Sequence, residues 1–198
     1  MSAALALTLH EPREVATDSS SQRRLFDAHS DFVRRLAVRL GVAPAEADDL
    51  VQEVFLVAFL KLQSFDPARY AAGAGSRLPA ERAWLYAIAL RVAASARRRA
   101  RLRRLWGFGE VEDPVDPATP ASVLEAAEAR RRVLRLVEGM SEKKRTVFLL
   151  FELEGLSGHE IARIVGAPLK TVWTRLFHAR REFAKQLARD EARERGTT

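Results

Sequence analysis

The sequence contains no cysteine, which excludes disulfide bonds and thiolate metal sites. Its four histidines do not have the spacing of metal ligands, so neither a metal site nor a cofactor is expected. No apolar run is long enough to cross a bilayer, and the first residues lack the basic segment of a signal peptide. These absences predict a soluble protein of the cytoplasm with no membrane insertion.

Acidic residues are in short supply relative to basic ones. The chain has 33 Lys and Arg against 26 Asp and Glu, which gives a net charge of +7. This balance favours a polyanionic partner, either nucleic acid or an anionic membrane surface. Strand patterns are also missing, while 47% of the residues are hydrophobic and can form a core. We therefore predict an all-α fold of two small helical bundles joined by an acidic flexible linker.

Changes in composition divide the 198 residues into five segments. Helical periods occupy residues 22–105 and 122–188, and they predict one bundle each. Residues 106–121 between them are acidic and rich in proline, which is typical of a linker. Residues 1–21 are expected to be a disordered tail, and residues 189–198 a frayed, charged end. Within the first bundle, residues 64–80 contain glycines and prolines that predict a loop between helices.

Residues 156–183 read as two short helices joined by a tight turn. Ser157 and Glu160 have the spacing of a capping box, and Gly166 suits a left-handed turn. Pro168 fits the first turn of the next helix, where its missing N–H costs nothing. Two apolar stripes are predicted to be buried: Ile161, Ala162 and Val165, then Val172, Leu176, Ala179 and Phe183. This is the pattern of a helix-turn-helix whose second helix fits the major groove. An ordinary helical hairpin with a solvated basic face is the alternative.

Two charge clusters mark the first bundle. The helix that opens near Pro44 begins with acidic residues and then becomes apolar on nearly every side. Such a helix is central to its bundle or binds a partner with its exposed side, and the helix dipole explains part of the acidic start. Six of the eight residues from Arg97 to Arg104 are arginine. A run of one sign repels itself, which favours a nucleic-acid footprint over a solvated helix end.

The chain resembles the extracytoplasmic-function (ECF) sigma factors, the small promoter-recognition subunits of bacterial RNA polymerase. The resemblance covers residues 22–188 and rests on four motifs: A-D-D-L-V-Q-E-V-F-L at 47–56, R-A-W-L-Y-A-I-A at 82–89, E-G-L-S-G-H-E-I-A at 154–162 and T-V-W-T-R-L-F-H-A-R at 171–180. It implies an alternative sigma factor that binds core polymerase and directs initiation at promoters with −10 and −35 elements. The implied protein is not an enzyme, because the polymerase performs nucleotidyl transfer.

The resemblance also implies three sets of site residues and a set of partners. The clamp coiled coil of the largest polymerase subunit would be bound by Asp48, Asp49, Gln52, Glu53 and Phe55. The −10 element would be opened and held by Lys61, Gln63, Ser64, Phe65, Arg82, Trp84, Arg91, Arg97 and Arg98. The −35 element would be read by Pro168, Lys170, Thr171, Trp173, Thr174, Arg175, Phe177, His178 and Arg181. The implied partners are core RNA polymerase (clamp and flap), promoter DNA and an anti-sigma factor.

Two other classes of protein compete with this interpretation. A helix-turn-helix regulator that does not dock on polymerase would need a dimer interface or a ligand pocket in its first half. A nucleic-acid enzyme could use Asp48, Asp49 and Glu53 as metal ligands. Asp48 and Asp49, however, are adjacent in a helix and point about 100° apart, which is a poor chelating geometry.

Overall fold

The computed structural model describes residues 19–71, 78–105 and 121–196, and this part of the chain is helical with no strand. The predicted all-α class is confirmed. We number the helices of these ranges α1 (Ser19–Arg39), α2 (Ala47–Lys61), α3 (Pro67–Tyr70), α4 (Ala80–Leu105), α5 (Ala121–Val137), α6 (Glu142–Phe148), α7 (Gly158–Val165) and α8 (Leu169–Gly196). We call α1–α4 the first bundle and α5–α8 the second bundle.

Two predicted boundaries in the first bundle need correction. Helix α1 already begins at Ser19, inside the predicted tail, while residues 1–18 lie outside the described ranges. The predicted loop 64–80 contains the short helix α3. Asp66 caps that helix by accepting a hydrogen bond from the backbone N of Ala68 at 2.9 Å, and Pro67 occupies its first position.

The predicted frayed end at 189–198 is wrong for residues 189–196, because α8 continues to Gly196. Arg132 on α5 explains this continuation by pairing with two acidic residues of the last turns of α8. Its Nε lies 3.0 Å from Asp190, and its terminal nitrogen lies 3.1 Å from Glu194. Of the predicted linker, residues 106–120 lie outside the described ranges.

Helix α4 is the centre of the first bundle. Every residue from Ala83 to Leu90 is buried, which requires packing partners on all sides of the helix. Helices α1 and α2 cover one side of α4, and α3 covers another. The remaining cover comes from α7 of the second bundle, so the two bundles share one continuous hydrophobic core.

The second bundle packs α8 against α5, α6 and α7. The predicted stripe on α8 is confirmed for Val172, Leu176 and Ala179, and Phe183 is half-buried against Phe148 at 4.9 Å between ring centroids. The stripe on α7 consists of buried Ile161 and Ile164, with Ala162 and Val165 half-buried. The predicted stripe is therefore corrected to include Ile164, which lies three residues after Ile161 on the same face.

Candidate docking and nucleic-acid surfaces

The predicted helix-turn-helix forms with its predicted local contacts. Ser157 Oγ accepts a hydrogen bond from Glu160 N at 3.3 Å, and the Glu160 carboxylate accepts one from Ser157 N at 2.8 Å. Gly166 ends α7 with φ 62° and ψ 42°, a left-handed conformation that glycine adopts without a Cβ clash. The carbonyl of Pro168 accepts from Val172 N at 3.1 Å and so opens α8.

Most of the predicted −35 residues lie on the exposed side of α8. Thr171 and Arg175 are half-buried, and the exposed members are Pro168, Lys170, Trp173, Thr174, Phe177, His178 and Arg181. Phe177 is 58% exposed, and its ring is held by two neighbours. The guanidinium of Arg181 lies 5.8 Å from the ring centroid, and the His178 ring meets it edge-on at 5.5 Å. This face therefore combines cations with an apolar ring.

Trp173 has a second role that the sequence did not reveal. Its ring is 45% exposed, and the rest packs over Gly158, the first residue of α7. A Cβ added to Gly158 would lie 2.5 Å from Trp173 Cζ2, closer than real side chains approach. Phe151 meets the same ring edge-on at 5.7 Å. Trp173 therefore joins the two helices of the helix-turn-helix, and a glycine at the start of α7 was the available signal.

The predicted polymerase-docking residues of α2 separate into exposed and buried members. Asp48, Asp49 and Gln52 are exposed and Glu53 is half-exposed, whereas Phe55 is 2% exposed. Phe55 packs against Phe26 and Phe59, with ring centroids 4.9 and 5.8 Å away. Its predicted place in the docking set is therefore corrected, because it is a core residue.

Two leucines that the sequence analysis left out of the docking set extend the exposed face of α2. Leu56 is 64% exposed and Leu60 is 86% exposed. With Asp49, Gln52 and Glu53 they follow the spacing 49, 52, 53, 56, 60, which places them along one side of the helix. We call these five residues the α2 face. The apolar character on all sides of α2 was the signal that one side would remain exposed.

The arginine run of α4 lies beside the acidic residues of α2. Arg99 is 3.3 Å from Glu53, and Arg103 pairs with Glu46. These ion pairs are largely exposed, so each contributes about 0–1 kcal/mol to stability. Part of the run therefore neutralises neighbouring acidic residues, and the nucleic-acid footprint stays a prediction.

Two of the predicted −10 residues, Phe65 and Trp84, form an aromatic stack. Phe65 is half-buried and lies on Trp84 with ring centroids 4.6 Å apart, and Tyr70 flanks it at 6.1 Å. Trp84 is 5% exposed and supports Phe65 from below, so its place in the −10 set is corrected to a buried, supporting position. The exposed members of the −10 set are Lys61, Gln63, Ser64, Arg82, Arg91 and Arg98.

Arg97 is an arginine of the −10 set whose side chain packs against protein. It donates hydrogen bonds to the carbonyl of Leu40 and to the carboxylate of Glu142 in the second bundle. Its side chain is 14% exposed, and this burial lowers the pKa of Arg97 although the charge of Glu142 opposes the change. In this arrangement Arg97 is not presented to DNA.

The sequence analysis did not predict a second polar cluster, which lies between the two bundles. The carboxylate of Glu154 is 6% exposed and accepts hydrogen bonds from Arg39 Nε at 2.6 Å and from Tyr86 Oη at 2.7 Å. Burial, reinforced by the negative charge of Glu154, raises the pKa of Tyr86. For Arg39, burial alone would lower the pKa, but the hydrogen bond and charge of Glu154 raise it.

A π-helical turn at Leu149–Leu153 leads into Glu154. The N–H of Glu154 donates to the carbonyl of Leu149 at 3.1 Å, five residues earlier. Such single π turns inside α-helices frequently occur at functional sites. Here the turn ends where the chain places Glu154 between the bundles.

Two further sequence expectations concern metal and membranes. Within residues 19–71, 78–105 and 121–196, no group of three or more His, Asp or Glu residues is arranged to hold a metal ion. None of the helices in those ranges combines the length and the apolar character needed to span a bilayer.

Comparison with known proteins identifies the family. The family model described as sigma-70 region 2 matches residues 25–103, and the one described as sigma-70, region 4 matches residues 130–183. The chain is 31% identical to the ECF RNA polymerase sigma factor SigL of Mycobacterium tuberculosis, over 83% of this chain and 87% of that relative. It is 27% identical to the ECF RNA polymerase sigma factor SigE of Mycolicibacterium smegmatis, over 81% of this chain but 59% of that longer relative.

A solved structure has the same fold. The sigma factor RpoE from Bartonella quintana, in complex with the anti-sigma factor NepR, matches with a TM-score of 0.54 at 23% identity. The match covers 85% of this chain and 98% of that chain. Taken together with the two sigma-70 regions and the identity to SigL, these findings show that the chain belongs to the ECF sigma factors of RNA polymerase.

Proposed function

We propose that this sigma factor docks on core RNA polymerase through the α2 face and directs initiation at promoters with −10 and −35 elements. The observation that carries the proposal is the exposure of Leu56 and Leu60 beside the acidic residues of the same face. Covering an exposed leucine by a partner contributes about 1.5–3 kcal/mol. The alternative regulator would need a dimer interface or a ligand pocket in its first half, and the match of residues 25–103 to sigma-70 region 2 favours the sigma function over it.

The second bundle supplies the −35 contact in this proposal. Helix α8 enters the major groove, where Lys170 and Thr174 reach base edges and Arg175 and Arg181 reach phosphates. The exposed positions of Lys170, Thr174 and Arg181 support this assignment.

The first bundle supplies the −10 contact. Separated strands need cations and a surface on which an extruded base can stack. Phe65, held from below by Trp84, offers the stacking surface, and the exposed Arg91 and Arg98 offer the cations. The chain performs no reaction itself, and its polymerase partner places its action in the cytoplasm.

An anti-sigma factor is a further proposed partner. The Bartonella quintana sigma factor with the same fold is bound to one. In this chain the exposed leucines of α2 or the aromatic side of α8 are the surfaces that such a protein would cover.

Run-off transcription with core polymerase tests the proposal. We expect new start sites that depend on the chain, and we expect Leu60→Ser to reduce their yield by lowering polymerase affinity at least tenfold. Leu102→Ser is the matched control, because Leu102 is also an exposed leucine (51%) but lies on α4 outside the α2 face. Tight binding of duplex DNA by a chain that neither binds polymerase nor starts transcription would instead support the regulator.

A further inference from the structure

The π-helical turn Leu149–Leu153 presents two side chains to α8, the second helix of the helix-turn-helix. The first two residues of the turn, Leu149 and Leu150, are buried in the core. Phe151 is half-buried and Glu152 is exposed, and both contact α8 outside the core. Single π turns inside α-helices frequently accompany function, so these contacts are candidates for a role in DNA recognition. We call Phe151 and Glu152 the brace.

The brace holds two positions of α8 at once. Glu152 Oε1 accepts a hydrogen bond from Arg180 Nε at 2.7 Å. The same guanidinium lies 5.1 Å from the ring centroid of Phe151, and that ring meets Trp173 edge-on at 5.7 Å. Trp173 and Arg180 are two turns apart along α8 and within about 20° of each other around its axis. The brace therefore fixes one line along the surface of α8.

This line is the border between the buried side and the proposed reading side of α8. The buried side consists of Val172, Leu176 and Ala179. The exposed reading side consists of Lys170, Thr174, Phe177 and Arg181. At about 100° per residue, Trp173 and Arg180 lie roughly 80° from the centre of either set. Contacts at this border oppose a rotation of α8 about its own axis.

The other border of the reading side is held by an ion pair. Glu182 lies about 180° around α8 from Trp173 and pairs with Lys144 of α6. Contacts from α6 and from the π turn that follows it therefore hold α8 on both sides of its reading face. Burial of apolar side chains is non-directional, so the apolar core alone fixes this rotation less sharply than polar contacts at both borders do.

We infer that Phe151 and Glu152 are positioning residues for −35 recognition, which fix the rotation of α8 in the major groove. This inference rests on the proposed function. Side-chain tips lie about 5–6 Å from a helix axis, so a rotation of about 20° moves them by about 2 Å. Hydrogen bonds to base edges need donor–acceptor distances of about 2.7–3.2 Å, and a shift of this size breaks them. Contacts to phosphates carry no sequence information, so the brace acts on sequence preference rather than on DNA affinity in general.

Selection of promoter fragments by the holoenzyme tests the inference. The full chain, assembled with core polymerase, is offered a promoter fragment whose −35 segment is randomised, and the retained fragments are sequenced. The −35 preference is the ratio of retention between the preferred and a scrambled segment. Phe151→Leu and Glu152→Gln should each lower this ratio roughly fivefold or more, as expected when a base-edge contact is lost. Retention of the scrambled fragment should change by less than about twofold, because the phosphate contacts remain.

Two further variants control for a purely structural effect. Arg132→Gln is the matched control, because Arg132 Nε lies 3.0 Å from Asp190 and so forms an ion pair with α8 beyond the brace. It should leave the −35 preference unchanged within about twofold. Phe151→Tyr keeps the aromatic ring and should also retain the preference. Helix content by circular dichroism checks that every variant is folded.

Arg180→Gln separates positioning from a direct phosphate contact. It should lower the preference as Glu152→Gln does, and the double variant should be no worse than either single one, because both remove the same contact. If Arg180 bound a phosphate instead, Arg180→Gln would weaken preferred and scrambled fragments alike, and Glu152→Gln would leave the preference intact. Either that pattern or equal weakening of both fragments by the brace variants overturns the inference. An unaltered holoenzyme without any −35 preference would refute the proposed −35 contact itself and, with it, the inference.

Discussion

Gly158→Ala probes the contact that joins the two helices of the helix-turn-helix. The new Cβ would lie 2.5 Å from Trp173 Cζ2 and 3.0 Å from two further ring atoms. At these distances the ring or the start of α7 must move. The ring has little room, because Phe151 meets it edge-on at 5.7 Å. The substitution should therefore strain the junction between α7 and α8.

The size of the effect can be bounded from the structure. Forcing one methyl group into a packed site costs about 1–3 kcal/mol. If Trp173 instead swings into solvent, the part of the residue that is buried in the native arrangement becomes exposed. Trp173 is 45% exposed in that arrangement, so rather more than half of it is buried. That part is roughly 100–140 Å² and corresponds to about 3 kcal/mol at 25 cal/mol per Å². Both routes give a loss of about 1–3 kcal/mol in the free energy of unfolding.

Urea unfolding followed by circular dichroism measures this loss. Gly139→Ala is the matched control, because a Cβ at Gly139 meets nothing within 4 Å. Trp173→Leu should relieve the crowding, so Gly158→Ala should be less harmful in that background. A coupling of about 1–2 kcal/mol is expected in the resulting double-mutant cycle. Binding of a −35 duplex should weaken in parallel, since α8 is positioned through this contact.

One result would refute the reasoning. Alanine is favoured over glycine by about 1 kcal/mol inside a helix when nothing obstructs it. If Gly158→Ala were neutral or stabilising, and no worse than Gly139→Ala, then Trp173 would not lie over Gly158. Trp173 would then have no packing role at the junction of α7 and α8, and its assignment to the DNA-contacting residues would be strengthened.

Three other predictions address the helix cap, the DNA-reading face and the buried Tyr86. Ser157→Ala should lower the free energy of unfolding by about 1 kcal/mol in urea, because α7 loses its capping box. If Phe177 contacts a thymine methyl in the −35 element, replacing that thymine with deoxyuridine should weaken binding by about 0.8 kcal/mol, or roughly fourfold, in the unaltered chain. Phe177→Ala should bind both duplexes equally, as measured by fluorescence anisotropy. Above about pH 10 the free energy of unfolding should fall as the pH rises, because the pKa of Tyr86 is raised in the folded chain and the unfolded chain therefore ionises it first. Tyr86→Phe should reduce this decline, as measured by urea midpoints between about pH 9 and 11.

The parts of the fold that the sequence predicted are those set by local spacing. The capping box of Ser157, the left-handed turn at Gly166 and the buried stripe of α8 all follow from residues within one or two helical turns. Short-range geometry determines such features, so a single sequence is sufficient to recognise them. The same reasoning failed at α3, where one capping aspartate turned part of a predicted loop into a helical turn.

The polar cluster of Glu154, Arg39 and Tyr86 between the bundles could not be predicted in this way. Arg39 and Glu154 lie 115 positions apart, and Tyr86 and Glu154 lie 68 positions apart. Nothing in the spacing around Glu154 distinguishes it from Glu152, which pairs inside its own bundle. The partners of Glu154 are determined by how α7 packs on α4, which is a property of the assembled core.

The arginine run of α4 shows why net charge indicates a class of partner but not a surface. The excess of positive charge fits a nucleic-acid ligand for the whole chain. Yet Arg97, Arg99 and Arg103 pair with acidic residues from two distant parts of the sequence: Glu142 in the second bundle, and Glu53 and Glu46 in and just before α2. Each cation held by an acid contributes less to phosphate binding, because its counterion is already supplied by protein. The salt dependence of −10 binding should therefore follow the cations outside these pairs.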